Sequence, residues 1–221
     1  MPSVDVGGGG YPPRGSIQFN NLNGIQTDPH IDFQIDSQNF TVEWFQYMEY
    51  LPIIAEASLV FETVIDNDLG CEILPGNLMH VWTNGTTPLT NVPITNYFNK
   101  WSHFAITRQG TVVRVFQNGI MLSEEDLGII VATGNTERIQ LGGLLGFSPF
   151  IGKITNFRFI KGTCLYSSDF NVSTLPLTVV ANTKLLLLAQ VPDLAYVDSS
   201  GLHTITNMQT TWSIENPFVI I

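Results

Sequence analysis

The sequence is poor in charge, in cysteine and in long apolar runs, and each shortage argues against a class of protein. Asp, Glu, Lys and Arg make up only 13% of the 221 residues, about half the usual quarter, so Asn, Thr, Gln and Ser must supply the polar surface. An amide or hydroxyl costs less to bury against a partner than an ion does, so such a surface suits extensive contacts. Basic residues are the scarcer kind: 9 Lys and Arg stand against 19 Asp and Glu, a net charge of −10, with no basic run. That field repels phosphate backbones, so no nucleic-acid partner is expected.

The two cysteines, Cys71 and Cys164, lack a close metal-ligand spacing and are too few for the disulfide framework of a small secreted domain. They read as small buried thiols. No stretch approaches the length needed to cross a bilayer; Leu185 to Leu188 is apolar on both faces and reads as a buried strand, so no membrane insertion is expected. The first residues show no basic segment followed by an apolar run, so no secretory leader is expected either. His-Glu-x-x-His, the phosphate-cradling Gly-x-x-x-x-Gly-Lys and Gly-x-Ser-x-Gly are all missing. Gly146-Phe147-Ser148-Pro149 lacks the second glycine of the last motif, and Gly7 to Gly10 has neither strand nor helix beside it.

What is present is material for a core. Hydrophobic residues reach 44% and aromatics 11%, enough to fill the space between two sheets without help from disulfides or metal. The length suits one large all-β sandwich. Residues 1–15, with Gly7 to Gly10 and Pro12-Pro13, cannot bury enough apolar surface to fold alone and read as an extended arm. From Ser16 onward, residues 16–221 read as one domain of short alternating runs with turn residues between them. Strands are expected at Ile17–Phe19, Ile31–Ile35, Phe40–Met48, Ala57–Thr63, Met79–Thr83, Trp101–Arg108, Val112–Gln117, Arg138–Leu141, Lys153–Ile160 and Lys184–Leu188. Asn118-Gly119 supplies the two positive φ values of a type I′ turn and predicts a hairpin from Val112–Gln117 into Ile120-Met121-Leu122. Tyr166 to Phe170 is the one stretch expected to form a helical turn.

Several segments together resemble the laminin G-like domains of the concanavalin A-like superfamily. Phe40-Thr41-Val42-Glu43-Trp44-Phe45 is similar to their early strand, and Trp101-Ser102-His103-Phe104-Ala105-Ile106-Thr107-Arg108 to their "Trp-x-His-(Val/Phe)-Ala-(Val/Ile)-Thr-Arg" strand. Val115-Phe116-Gln117-Asn118-Gly119 matches their hairpin, and Gly152-Lys153-Ile154-Thr155-Asn156-Phe157-Arg158-Phe159 a later strand. Lys161-Gly162-Thr163-Cys164-Leu165-Tyr166 to Phe170, and Asn182 to Leu188 continuing through Asp198-Ser199-Ser200-Gly201 and Thr204 to Asn207, resemble the tail of phage and large-virus members. The resemblance implies a jelly-roll-like sandwich of two antiparallel sheets.

The function expected from this reading is a non-catalytic binding module, a structural or accessory component of a virus particle. Capsid, vertex or fibre proteins would then be its partners, met through the arm and through Phe218-Val219-Ile220-Ile221 in an oligomer or larger assembly. A soluble lectin with glycan partners is the alternative, and a glycoside hydrolase with an unrecognised site the second alternative. Retaining glucanases of this fold need two carboxylates about 5 Å apart on one strand face. Glu43 and Glu49 lie too far apart along their strand for that, and Glu124-Glu125-Asp126 reads as a solvated turn. The hydrolase would instead need carboxylates paired across a sheet face.

No catalytic, cofactor-binding or metal-ligating residue is assigned from sequence. His103 reads as a hydrogen-bonded core residue, because no second ligand stands near it. Asp66-Asn67-Asp68 offers hard oxygens for calcium but is equally an ordinary turn. Tyr47, Tyr50, Trp82 and Tyr97 are conceivable sugar platforms. Asn39-Phe40-Thr41, Asn84-Gly85-Thr86 and Asn171-Val172-Ser173 match glycosylation acceptors and read as chance matches in an Asn-rich chain.

Overall fold

Short runs whose side chains alternate between two faces form fifteen strands among the described residues, beside two single 3-10 turns. The computed structural model describes residues 14–20, 23–52, 57–64, 69–83, 87–129, 136–143 and 149–218. The strands are β1 (Ser16–Phe19), β2 (Gly24–Thr27), β3 (Phe40–Met48), β4 (Ser58–Thr63), β5 (Leu69–Leu74), β6 (Leu78–Thr83), β7 (Thr87–Pro93) and β8 (Trp101–Gln109). They continue as β9 (Val112–Gln117), β10 (Ile120–Asp126), β11 (Ile139–Leu141), β12 (Gly152–Lys161), β13 (Thr183–Leu187), β14 (Ile205–Met208) and β15 (Thr211–Ser213).

All the strand pairs are antiparallel and fall into two sheets. The larger runs β10-β9-β8-β3-β12-β1-β15, with β13 also paired to β12; the smaller, of seven strands, runs β14-β2-β11-β4-β5-β6-β7. β1 covers one half of the β12 edge, opposite Gly152 to Ile154, and β13 the other, opposite Phe157 to Ile160. The fold is therefore the expected all-β jelly-roll-like sandwich. One face of each sheet supplies the core, where Phe40, Val42, Trp44 and Met48 of β3 meet Phe61, Cys71, Ile73 and Val81. Trp44 is fully buried, stacked on Phe104 with ring centroids 5.8 Å apart and edge-on to Phe61 at 5.3 Å. Its indole Nε1 donates to Gln46 Oε1 at 2.8 Å, satisfying the one polar atom that burial would otherwise strand.

The hairpin forms as expected: Asn118 and Gly119 take φ values of 50° and 81°, and Gln117 pairs with Ile120. Other expectations are corrected. Ile31–Ile35 is not a strand; Ile31–Phe33 is a 3-10 turn, because the His30 side chain accepts from Asp32 N and caps it. Tyr166–Phe170 makes no helical turn, since Thr107 Oγ1 and Gly119 O take the hydrogen bonds of Tyr166 O and Phe170 N. Glu124-Glu125-Asp126 is not a turn but the exposed end of edge strand β10, opposite Arg114 to Val112. Both cysteines are free. Cys71 is a core thiol as expected, whereas Cys164 is only half-buried and bonds to Tyr166 O. Most of the proposed arm, Asp66-Asn67-Asp68, Asn84-Gly85-Thr86, Gly146-Phe147-Ser148 and Val219 to Ile221 lie outside the described residues.

The tail after β12 folds back as a strap over the outer face of the larger sheet. Polar side chains of that face fasten it. Thr41 Oγ1 donates to Thr163 O and accepts from Leu165 N, and Arg158 Nη1 donates to Thr178 O at 2.6 Å. Asn156, at φ 52° in a bulge of β12, accepts from Leu177 N at 2.7 Å. Beneath the strap, Phe45, Leu177, Leu186 and Phe218 form a second apolar cluster.

Asp198 organises the loop between β13 and β14. Its carboxylate is buried and accepts from the backbone N–H groups of Leu186, Ser200, Leu202 and His203 and from the Ser200 hydroxyl. Asp198→Ala leaves those donors unsatisfied and is expected to lower unfolding stability by about 1–3 kcal/mol. Urea unfolding checks this, and an unchanged midpoint would show that the loop holds itself.

Candidate functional site

The strap covers the larger sheet's outer face around Thr41, Glu43 and Arg158. Glu43, whose side chain is 1% exposed, sits at the centre of the covered region. Arg158 donates Nε and Nη2 to its Oε1; His103 Nε2 lies 3.1 Å from Oε2, and the Tyr166 hydroxyl donates to Oε2 at 3.0 Å. Burial alone would raise the Glu43 pKa, but the His103 bond and the Arg158 charge outweigh it and hold the carboxyl below its usual range. Burial and the Glu43 charge push the Tyr166 hydroxyl upward, so it remains a donor. His103 is therefore the hydrogen-bonded core residue expected, and Glu43 a structural anion. Glu49, at the far end of β3, is tied to Lys153 and to Gln18 Nε2, and so does not approach Glu43.

The smaller sheet presents a different outer face. Strand register lines up one row across it: Thr206, Gln26, Gln140, Glu62, Gly70 and Trp82 are successive cross-strand partners. Their chain neighbours Ile25, Leu141, Phe61, Cys71 and Val81 point into the core, so the row points outward. Gln26 Nε2 donates to Gln140 Oε1 at 2.5 Å, and Arg138 Nη1 to Gln26 Oε1 at 3.4 Å. Gly70 matters because of its neighbour: the Trp82 indole fills the space a side chain at 70 would need. Two residues further along β5, Glu72 stands opposite His80, whose Nδ1 is 2.8 Å from Glu72 Oε1. Gln140 is fully buried at the base of the row, while Gln26, Glu62, Glu72, His80 and Trp82 are half-buried.

Glu62 is the carboxylate of this face that its surroundings perturb. Burial raises its pKa, and the negative charge of Glu72 raises it further. Two carboxylates, the Gln26 amide set in place by the buried Gln140, an imidazole and an indole on one sheet face combine hydrogen-bonding groups with an apolar platform. That is the chemistry sugars require.

Of the four aromatic platforms expected from sequence, only Trp82 joins this face. Tyr97 is core, its hydroxyl bonded to Asn77 Oδ1 at 3.0 Å. Tyr47 packs under the Lys153 ammonium, 4.8 Å from its ring centre, and beside Trp101 on the other sheet; Tyr50 is exposed just past β3. Sequence reasoning missed Glu62, Glu72, His80 and Gln140. Each stands in a strand that alternates with core residues, as any solvated face does, and only the register of five strands brings them together. Among the described residues, a separate group of His30, Asp32 and His203 lies close enough to hold a metal ion.

Comparison with known proteins agrees with the fold. A putative carbohydrate binding protein of Bacteroides ovatus superposes with a TM-score of 0.68 at 15% identity over 96% of this chain, which spans 63% of that protein. The native heptameric SAP-like pentraxin of Limulus polyphemus gives 0.62 at 10% identity, covering 93% of this chain and 97% of that one. Domain 4 of the extracellular arabinanase AbnA of Geobacillus stearothermophilus, solved with arabinotriose, gives 0.55 at 19% identity, covering 72% and 78% respectively. These similarities establish the fold. No curated protein sequence matches the chain. The family model described as the concanavalin A-like lectin/glucanases superfamily matches residues 19–165, most of the chain, which therefore belongs to that superfamily.

Proposed function

We propose that the chain is a non-catalytic carbohydrate-binding module whose site is the outer face of the seven-stranded sheet. The observation that carries this is the row of Gln26, Gln140 and Glu62 running across the strands to Trp82 on Gly70. Amides and carboxylates accept and donate to sugar hydroxyls, and an indole packs against the C–H face of a pyranose or furanose ring. With Glu62 and Glu72 on the face and a chain charge of −10, neutral oligosaccharides fit and acidic ones are repelled. Solved neighbours that bind sugars support the reading at the level of the fold. The particle-component reading rested on the tail motifs, the Gly/Pro-rich arm and the apolar residues Phe218 to Ile221, and nothing in the family match or the neighbours favours it.

The test is a glycan array followed by calorimetry with neutral oligosaccharides, arabinotriose among them, and sialyllactose as the acidic comparison. Saturable binding of a neutral sugar supports the proposal. No binding to any neutral saccharide overturns it.

One observation favours a second reading, glycoside hydrolysis. Glu62 and Glu72 are diagonal neighbours on adjacent strands, positions whose Cβ atoms lie roughly 7–8 Å apart, within the carboxylate spacing of inverting enzymes. Glu62, with its raised pKa, would be the acid and Glu72 the base. The Glu72–His80 contact argues for binding instead, because it occupies the carboxylate that would have to activate water. Release of reducing ends from a bound oligosaccharide, lost in Glu62→Gln, would establish hydrolysis; intact sugar after long incubation would dismiss it.

A further inference from the structure

Away from that face, the turn after β2 and the loop before β14 bring two imidazoles and a carboxylate together. His30, Asp32 and His203 each offer one ligand atom, all within 4.8 Å of one another. His203 is the informative member. Its side chain is only 1% exposed, yet neither ring nitrogen has a hydrogen-bond partner. Burying an imidazole without satisfying it is costly, and the ring is held between Phe33, tilted with centroids 4.4 Å apart, and His30, edge-on at 4.9 Å. Its Nε2 points toward Asp32 Oδ2 at 3.5 Å, and its Nδ1 toward Asp28 Oδ1 at 3.5 Å.

We infer that His30, Asp32 and His203 form a site for a divalent transition ion of the zinc type. The division of labour follows from the contacts. Asp28 is fixed by the Thr204 N–H at 2.9 Å, and its carboxylate faces His203 Nδ1. A proton drawn to Nδ1 leaves the Nε2 lone pair free for the ion, the usual role of a carboxylate behind a ligating histidine. Lys184 Nζ holds Asp32 Oδ1 at 2.8 Å, which commits that oxygen and turns Oδ2 to the histidines. Asp32 thus ligates through one oxygen. His30, half exposed, supplies the third ligand from the same turn, its Nδ1 lone pair passing from the Asp32 N–H to the ion.

Two nitrogens and one carboxylate oxygen suit zinc, nickel or cobalt and not calcium, which takes six or more oxygens. Three protein ligands leave at least one coordination position for water or a ligand's oxygen. The half-exposed His30 leaves the ion open to solvent on that side. Bound there, the ion would join the turn after β2 to the Asp198-organised loop.

The full chain, stripped by chelator and dialysed, should take up one zinc in calorimetry and show a rise in Tm. Cobalt at the same site should give visible d–d absorption, displaced by zinc. Calcium should give neither signal. His30→Ala removes the half-exposed ligand together with the cap of the Ile31–Phe33 turn and is expected to weaken zinc at least about tenfold, as is Asp32→Asn, which keeps that cap, while Asp28→Asn should cost roughly 10–100-fold. Glu125→Gln, at an exposed carboxylate on edge strand β10 outside the site, should leave zinc uptake unchanged. Absence of zinc uptake by the folded chain overturns the inference. So does zinc uptake that His30→Ala and Asp32→Asn leave unchanged, with circular dichroism showing each variant folded.

Discussion

Glu43→Ala is expected to remove about 3–5 kcal/mol of unfolding free energy, the cost of leaving a buried partner charge uncompensated. The Arg158 side chain is 6% exposed and directs Nε and Nη2 at the Glu43 carboxylate, with no water layer to take over. The Tyr166 hydroxyl and the His103 ring would lose their acceptor together. For a chain of 221 residues this corresponds to a fall in Tm of roughly 6–20 °C. Replacing both Glu43 and Arg158 by leucine should cost less than Glu43→Ala alone, because a matched apolar pair strands no charge. Equal losses in the single and double variants would show that packing, not charge, holds the strap.

The same network sets the acid limit of the fold. The Glu43 pKa is depressed in the folded state, its burial outweighed by His103 and Arg158. Its contribution is therefore complete above the unfolded carboxyl pKa and is lost as pH falls through the lower folded value. Unfolding of the parent chain should steepen with acid in that window, and Glu43→Ala should flatten the curve. Most of the strap that this network anchors lies beyond residue 165, where the family match ends. A charged network buried between the outer face of the larger sheet and the strap makes sense as a fastening: Tyr166 and Thr178 O reach Glu43 and Arg158 only when the strap lies in one register.

How much of this is legible in the sequence depends on which physics writes it. β3 and β9 appear at their expected bounds because strict alternation and the Asn118-Gly119 turn are local signals. β2, β5, β7, β14 and β15 are not legible, being short or interrupted by Gly70, Pro88 and Pro93, and they owe their extension to neighbours in the sheet. Ile31–Ile35 misleads because its apolar spacing fits a strand while the His30 cap selects a turn. The candidate sugar face is hidden for a deeper reason. Gln26, Gln140, Glu62 and Trp82 are far apart in the chain and meet only through register. His30 and His203 likewise meet by tertiary closure, which no spacing rule anticipates.

Trp82→Ala is expected to weaken binding of a neutral oligosaccharide by about 30-fold or more, the scale of losing a central aromatic anchor, while leaving the fold intact because the indole lies outside the core cluster. Gly70→Ala tests the same point without touching the aromatic. A methyl at 70 would occupy the volume of the indole and displace it, so affinity should fall though Trp82 is still present. Glu62→Gln separates function from stability. Burial and Glu72 raise the Glu62 pKa, so whatever stability the group brings is full below the unfolded carboxyl pKa and is lost as pH rises through the folded one. At neutral pH its charge is a liability to the fold, and the amide should raise stability by roughly 0.5–1 kcal/mol while weakening the sugar, the opposed pattern of a residue kept for binding. Tyr50→Ala, on an exposed ring at the end of β3, should change neither quantity. If Trp82→Ala and Gly70→Ala bind as the parent does, the sugar sits elsewhere; if Glu62→Gln lowers stability and spares binding, Glu62 is structural and the row is not the site.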